Sequence, residues 1–268
     1  MVNPYLILFR LALVGALFLW GSVATATATA AERGRDIQRL GARVSNPAAL
    51  VRFQDIRYRY FDLNDSRESR KIEAQGAFTP FPRFKVTHVL QAIRTDVSGD
   101  SNSDVSSLTL GATMIRDAHF VNRDARYFLG SQWSKDLGDV SDGTGSGSDL
   151  LAPFAGVTWQ PTPEDFLVAM IQHSRSYRRD DGAPKVRKTV PRLIYIRGLR
   201  FLNGWTTFNL SGEFDHQDND KFSPTLEMEI GTMLTPHVGF YGEIFVGDAV
   251  FDTEAYNAGI GLALRIVY

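Results

Sequence analysis

Ile260-Gly261-Leu262-Ala263-Leu264-Arg265-Ile266-Val267-Tyr268 closes the chain. Ile260, Leu262, Leu264 and Ile266 recur on every second residue, Tyr268 continues the series, and small or charged residues such as Gly261, Ala263 and Arg265 stand between them. Side chains of an extended strand alternate between its faces, so the large apolar residues share one face. A soluble edge strand shows the same alternation, but it rarely also ends the chain on an aromatic.

The same period runs upstream as far as Val51. Leu226, Met228 and Ile230 oppose Glu227 and Glu229; Val238, Phe240, Ile244 and Val246 oppose Tyr241 and Glu243. Phe208, Leu210 and Phe214 oppose Asn209, Ser211 and Glu213, and Ile56, Tyr58 and Tyr60 oppose Asp55, Arg57 and Arg59. Twelve strand segments are expected, at 51–62, 71–80, 84–95, 105–116, 125–135, 150–160, 165–175, 191–201, 205–215, 223–233, 237–247 and 255–268. Connections after even-numbered segments are mostly short, as at Pro80 to Arg83, Gln160 to Glu164, Leu202 to Gly204 and Leu234 to Pro236. Those after odd-numbered segments are longer and polar, as at Asp96 to Asp104, Asp136 to Asp149 and Tyr177 to Val190. Short periplasmic turns alternating with long external loops are the habit of bacterial membrane barrels. Two features resist this scheme. Asp117 to Asp124 is too long for a tight turn, which leaves ten or fourteen strands open, and segments seven and eight do not sort into faces. Phe166 to Ile171 is apolar on both, and Arg192, Arg197 and Arg200 fall on mixed ones.

Composition narrows the class. At 44% hydrophobic and 22% charged, the chain is too apolar for disorder, and it lacks the several long apolar runs of a helical bundle. A net charge of −1 offers no footprint for nucleic acid. The absence of cysteine removes disulfides, thiolate metal sites and cysteine nucleophiles, and suits passage through an oxidising periplasm. Tyr5 to Val23 is apolar apart from Arg10 and small interruptions, and Ala24-Thr25-Ala26-Thr27-Ala28-Thr29-Ala30-Ala31 follows. That pattern predicts a signal peptide cleaved near Ala30, with an uncleaved anchor as the alternative. No later segment could form a membrane helix, so further membrane residence requires strands closed into a barrel. The expected organisation is a signal peptide at 1–30, a periplasmic N-terminal segment at 31–49 and an all-β transmembrane antiparallel barrel of about twelve strands at 50–268, in the cell outer membrane. A soluble sandwich or lipocalin-like barrel would instead bury the apolar faces and wet the charged ones.

The closing run of Ile260, Leu262, Leu264, Ile266 and Tyr268 resembles the C-terminal assembly signal of outer-membrane proteins, which implies the barrel-assembly machinery as a partner. A wider resemblance covers most of the mature chain. Val44-Ser45-Asn46-Pro47, the Gly143-Thr144-Gly145-Ser146-Gly147-Ser148-Asp149 loop, Gln172-His173-Ser174, Gly204-Trp205 and the last strand occur in an order similar to that of phenol-degradation MetA-pathway and transporter-type barrels. This resemblance implies a membrane location and a channel for a small-molecule solute, without naming the solute.

The expected lumen face carries Asp55, Arg57, Arg59, Glu73, Gln75, Lys85, Gln91, Asn209, Glu213, Glu227, Glu229, Tyr241, Glu243 and Arg265. Basic residues gather on the twelfth, first and third segments and acidic ones on the ninth to eleventh, which closure makes neighbours. Such rows either orient a polar solute in an open pore or pair with one another and fill a narrow one. The expected function is an outer-membrane channel or transporter for small solutes. Its alternatives are a lipid acyl hydrolase and a structural or adhesive barrel. Hydrolysis would need a nucleophile within reach of its base, yet His173 and Ser174 are adjacent and so project to opposite faces. No enzyme is expected. His88, His119, His173, His216 and His237 lack ligand spacing, and the loop of Asp136, Asp139, Asp142 and Asp149 lacks a calcium-loop pattern, so neither metal nor cofactor is expected. On the basic loop Tyr177 to Val190, Arg178, Arg179 and Arg187 are candidate contacts for the lipid A phosphates of lipopolysaccharide, set against a merely solvated loop.

Overall fold

Alternating residues become ladders in the computed structural model, which describes residues 40–63, 67–96, 99–120, 123–199, 202–218, 221–247 and 256–268. The signal peptide expected at 1–30 lies outside these residues. Twelve strands are described: β1 (Phe53–Asp62), β2 (Glu68–Phe81), β3 (Phe84–Thr95), β4 (Asn102–Phe120), β5 (Arg123–Asp136), β6 (Ser148–Thr162), β7 (Asp165–Arg179), β8 (Arg187–Leu199), β9 (Gly204–Asp215), β10 (Lys221–Met233), β11 (Val238–Val246) and β12 (Ala258–Val267). Each pairs antiparallel with its neighbours in sequence, and β1 pairs with β12 from Phe53↔Val267 to Asp62↔Ala258. That last ladder closes the barrel and removes both sheet edges, the condition for strands to lie in hydrocarbon.

The faces are inverted relative to a water-soluble protein. Ile260 and Leu262 are 63% and 56% exposed on the outer surface, whereas Arg265 on the same strand and Asp55 and Glu243 on its two neighbours are buried inside. The same holds for Ile56 and Tyr58 on β1 and for Phe240 and Ile244 on β11, all exposed outward. In a lipid bilayer these side chains meet acyl chains, where each large one gains about 1.5–3 kcal/mol over its hydration in water. An apolar outer belt around a closed, polar-lined barrel is the outer-membrane architecture.

The two irregular places in the sequence have structural explanations. β4 and β5 extend past the lipid belt and pair down to Phe120↔Arg123, so the two strands adjoin in sequence and the described strands number twelve. The extension is polar because it stands in water: Arg126 bonds Asp117 at 3.0 Å, and both are about half exposed. On β7 and β8, pairing of Val168 with Ile194 and of Phe166 with Ile196 sets Phe166, Val168, Ile194 and Ile196 inward. Leu167, Ala169, Ile171, Leu193 and Tyr195 alternate with them and face outward. Both faces are apolar here because the inner one also packs against protein.

That protein is the chain's own N-terminal segment. Residues 40–44 form a short helix, and the segment continues through 49 inside the short-turn end of the barrel. Ala42, Val44, Asn46, Ala48 and Ala49 are all buried. A Cβ on Gly41 would collide with the ring of Trp205, so only glycine permits this approach of helix to wall. Together with Phe53, Ile115, Phe128, Val168, Ile196, Trp205 and Tyr241, the segment builds a single apolar cluster at this end of the barrel.

Candidate functional site: the barrel lumen

Closure brings the basic residues of β12 and β1 beside the acidic residues of β9 to β11, and the two rows pair. Arg265 is buried and donates Nη2 to Asp55 Oδ2 at 2.8 Å and Nε to Asp55 Oδ1 at 3.0 Å. Its Nη1 donates to Ser45 Oγ on the inserted segment at 3.1 Å, and its guanidinium lies 4.9 Å from the Trp205 ring centroid and 4.5 Å from that of Tyr241. The Tyr241 hydroxyl donates to Asp55 at 2.8 Å, and Arg57 approaches the same carboxylate at 3.3 Å. Trp205 Nε1 and Ser45 Oγ both donate to Glu229 Oε1. One rung toward the long loops, Arg59 reaches Glu243 at 2.7 Å, Glu73 at 3.1 Å and Glu227 at 3.5 Å. The pairing ties three arginines and five carboxylates of this wall into one network.

The remaining expected lumen residues are placed as follows. Lys85 is buried, and its Nζ donates to the carbonyls of Pro47 and Ala49 at 3.0 and 3.2 Å, which ties β3 to the inserted segment. Gln91 lies on β3 six residues further on, and so on the same face as Lys85 by strand alternation. Gln75 faces the lumen on β2. Asn209 Nδ2 donates to Glu227 at 3.1 Å, while Glu213 accepts from Lys188 at 2.6 Å near the long-loop rim.

Between this wall and the facing strands lies a cavity of 510 Å³, floored by Val44, Ser45 and Pro47. The facing wall carries Lys85 and Arg192 as its cations, with Gln132 and Gln172 beside the apolar Phe154, Met170 and Ile194. Gln172 donates to Gln132 at 3.0 Å, and Arg192 Nη2 donates to Gln172 Oε1 at 3.4 Å. Among the described residues, no carboxylate stands within ion-pairing distance of Arg192. The buried atoms Arg192 Nε, Arg57 Nε, Thr207 Oγ1 and Asn209 Oδ1 have no protein partner, and all four residues line the cavity. Buried polar groups are normally hydrogen-bonded, so this cluster is a place for solvent or solute.

Arg192, Gln172, Gln132 and Trp205 are absent from the expected lumen set. For Arg192 and Gln172, the informative signal is the β7–β8 register, Met170↔Arg192, which sets their direction and which apolar residues on both faces conceal in the sequence. Ile260, Leu262, Leu264 and Tyr268 stand exposed on the outer surface, and Ile266 is half-buried. Of the three candidate lipid A contacts, Arg179 turns back to the Ala183 carbonyl at 3.2 Å, Arg178 is exposed at the end of β7, and Arg187 is exposed opposite Arg175. His173 bonds Thr189 on the outer face, and Ser174 is the next residue along the strand, on the opposite face.

No family model and no curated protein matches the sequence. Solved structures do. The NanC porin structure aligns at a TM-score of 0.55 and 9% identity, over 80% of this chain and 98% of that one. The KdgM porin aligns at 0.53 and 8%, over 81% and 99%. Outer membrane phospholipase A from Escherichia coli aligns at 0.48 and 12%, over 87% and 98%. At 8–9% identity the likeness to the two porins is one of fold, and it agrees with the apolar outer belt and polar lining of an outer-membrane architecture of twelve antiparallel strands.

Proposed function

We propose that the barrel is a channel for small polar solutes, closed at its short-turn end by residues 40–49. The observation that carries this reading is the 510 Å³ cavity, whose wall presents unpartnered polar atoms and whose floor is the inserted segment rather than the barrel itself. A barrel built only for stability gains nothing from leaving such groups unsatisfied. The porin neighbours support transport as the use of this fold. Membership of the MetA-pathway barrels is a narrower part of the same proposal and rests on the short sequence motifs alone. Because the opposed rows pair with each other, solute selection falls to Arg192 and its amide neighbours.

Single-channel conductance in planar bilayers tests the proposal with the mature chain and with a variant lacking residues 31–49. The expected result is little or brief conductance for the parent and sustained openings for the deletion. Equal conductance would refute the closing role of the segment. Silence of both, with correctly inserted barrels, would refute the channel.

A further inference from the structure

Arg175 and Arg187 stand directly opposite one another on β7 and β8, both exposed on the outer surface beside the long loop at 180–186. Among the described residues neither makes an ion pair. Like charges directly opposite across an antiparallel ladder are destabilising, and an anion held between two guanidiniums offsets that cost. Elsewhere at the same rim Arg70 and Arg94 face one another across β2 and β3 in the same way, and there Glu68 pairs with Arg70 at 2.7 Å. The Arg175–Arg187 pair has no such carboxylate among the described residues.

Directly toward the membrane middle from this pair is an apolar groove. It has a volume of 750 Å³ and runs across the outer face of β6 to β10, between Val157, Ala169, Ile171, Leu193, Leu210 and Phe222. The small side chain of Ala169, with Pro191, Gly212 and Pro224 on the neighbouring strands, makes it a depression between bulkier ridges. Ile171 precedes Arg175 by four residues, so the groove's upper end lies about 13 Å below the guanidiniums at strand rise. Between them His173 Nδ1 and His216 Nε2 both bond the Thr189 hydroxyl, at 2.9 and 2.8 Å, a polar shelf at the height where a lipid changes from chain to headgroup.

We propose that this surface binds the lipid A part of lipopolysaccharide, with a phosphate between Arg175 and Arg187 and acyl chains in the groove below. The planar guanidinium matches phosphate oxygens two at a time, and two facing forks can clamp one phosphate. The long-loop rim faces the outer leaflet, where phosphorylated glycolipid is the anionic amphiphile present. A free phosphate would use the arginines and leave the groove unused. The site is independent of any channel activity, since it lies wholly on the outer face. It replaces the loop residues Arg178 and Arg179 with Arg175 as the partner of Arg187.

The test is binding of diphosphorylated lipid A to the delipidated, detergent-solubilised barrel, followed by native mass spectrometry. Arg175→Gln with Arg187→Gln should weaken binding roughly tenfold, which is about 1.4 kcal/mol. Ala169→Trp, which fills the groove and leaves both arginines, should weaken it as well. Dephosphorylated lipid A should bind the parent as poorly as lipid A binds the double variant. Heat-modifiable migration of all variants establishes that the barrel is intact. Equal lipid A affinity of parent and double variant would overturn the proposal. Equal binding of phosphatidylglycerol would overturn the assignment to lipid A, and full competition by inorganic phosphate would overturn a lipid ligand altogether.

Discussion

Replacing Arg265 with methionine removes a side chain that joins the last strand, the first strand and the inserted segment. Arg265→Met leaves Asp55 buried without its main counterion, and breaking a buried pair from one side costs about 3–5 kcal/mol. The lost stacking on Trp205 and Tyr241 adds about 0.5–2 kcal/mol. Two contacts remain to Asp55, from the Tyr241 hydroxyl at 2.8 Å and from Arg57 at 3.3 Å, and methionine restores part of the packing. The net destabilisation is therefore expected near the lower end, about 3 kcal/mol. Urea unfolding in phospholipid vesicles, followed by tryptophan fluorescence, measures it, because Trp205 is buried against the guanidinium. Asp55→Asn removes the orphaned charge, so the double variant Asp55→Asn/Arg265→Met should be more stable than the sum of the single losses by about 1–3 kcal/mol. Strict additivity would show that the pair does not act as a unit and would refute the reasoning.

Four further outcomes are expected. Leu262→Arg, at mid-strand on the lipid face, should destabilise the barrel by about 2–4 kcal/mol in the same unfolding assay. Deleting Tyr268, whose amide bonds the Arg52 carbonyl at 3.2 Å, should reduce membrane insertion and leave periplasmic aggregate, read from the heat-modifiable fraction in outer membranes. In the barrel lacking residues 31–49, Arg192→Gln should shift the reversal potential in a salt gradient toward cation preference, since it deletes a lumen cation with no paired carboxylate. In the external loop, hydrogen bonds from the Ser141 hydroxyl and backbone N–H hold Asp139 below its ordinary value of 3.8. That stabilisation is present above the ordinary value and is lost as pH falls through the lower folded one. Amide exchange at Ser141 should therefore quicken only below the usual carboxylate range, and Ser141→Ala should move the change upward.

Where one face meets lipid and the other meets paired charge, alternation is legible in the linear chain. β1, β10, β11 and β12 are of this kind: Ile56, Leu226, Phe240 and Leu262 mark one face, and Arg57, Glu227, Glu243 and Arg265 the other. β7 and β8 were opaque because Val168 and Ile196 are apolar for a different reason, contact with protein inside the barrel, and alternation cannot distinguish lipid from core as the source of hydrophobicity. The junction of β4 with β5 was opaque because paired strand continued past the lipid belt, where polar residues read as loop.

Period, turn length and residue chemistry are local properties, so the sequence by itself determined that strands alternate, that they number about twelve and that the polar face carries both signs of charge. Whether those charges line an open passage or satisfy one another depends on distances between residues up to 210 positions apart, such as Arg265 and Asp55, and only closure of β1 onto β12 sets them. The same is true of residues 40–49. Nothing in their composition distinguishes a periplasmic tether from a plug, because that difference lies in Trp205, Glu229, Lys85 and Arg265, which barrel closure gathers around Gly41, Ser45 and Pro47.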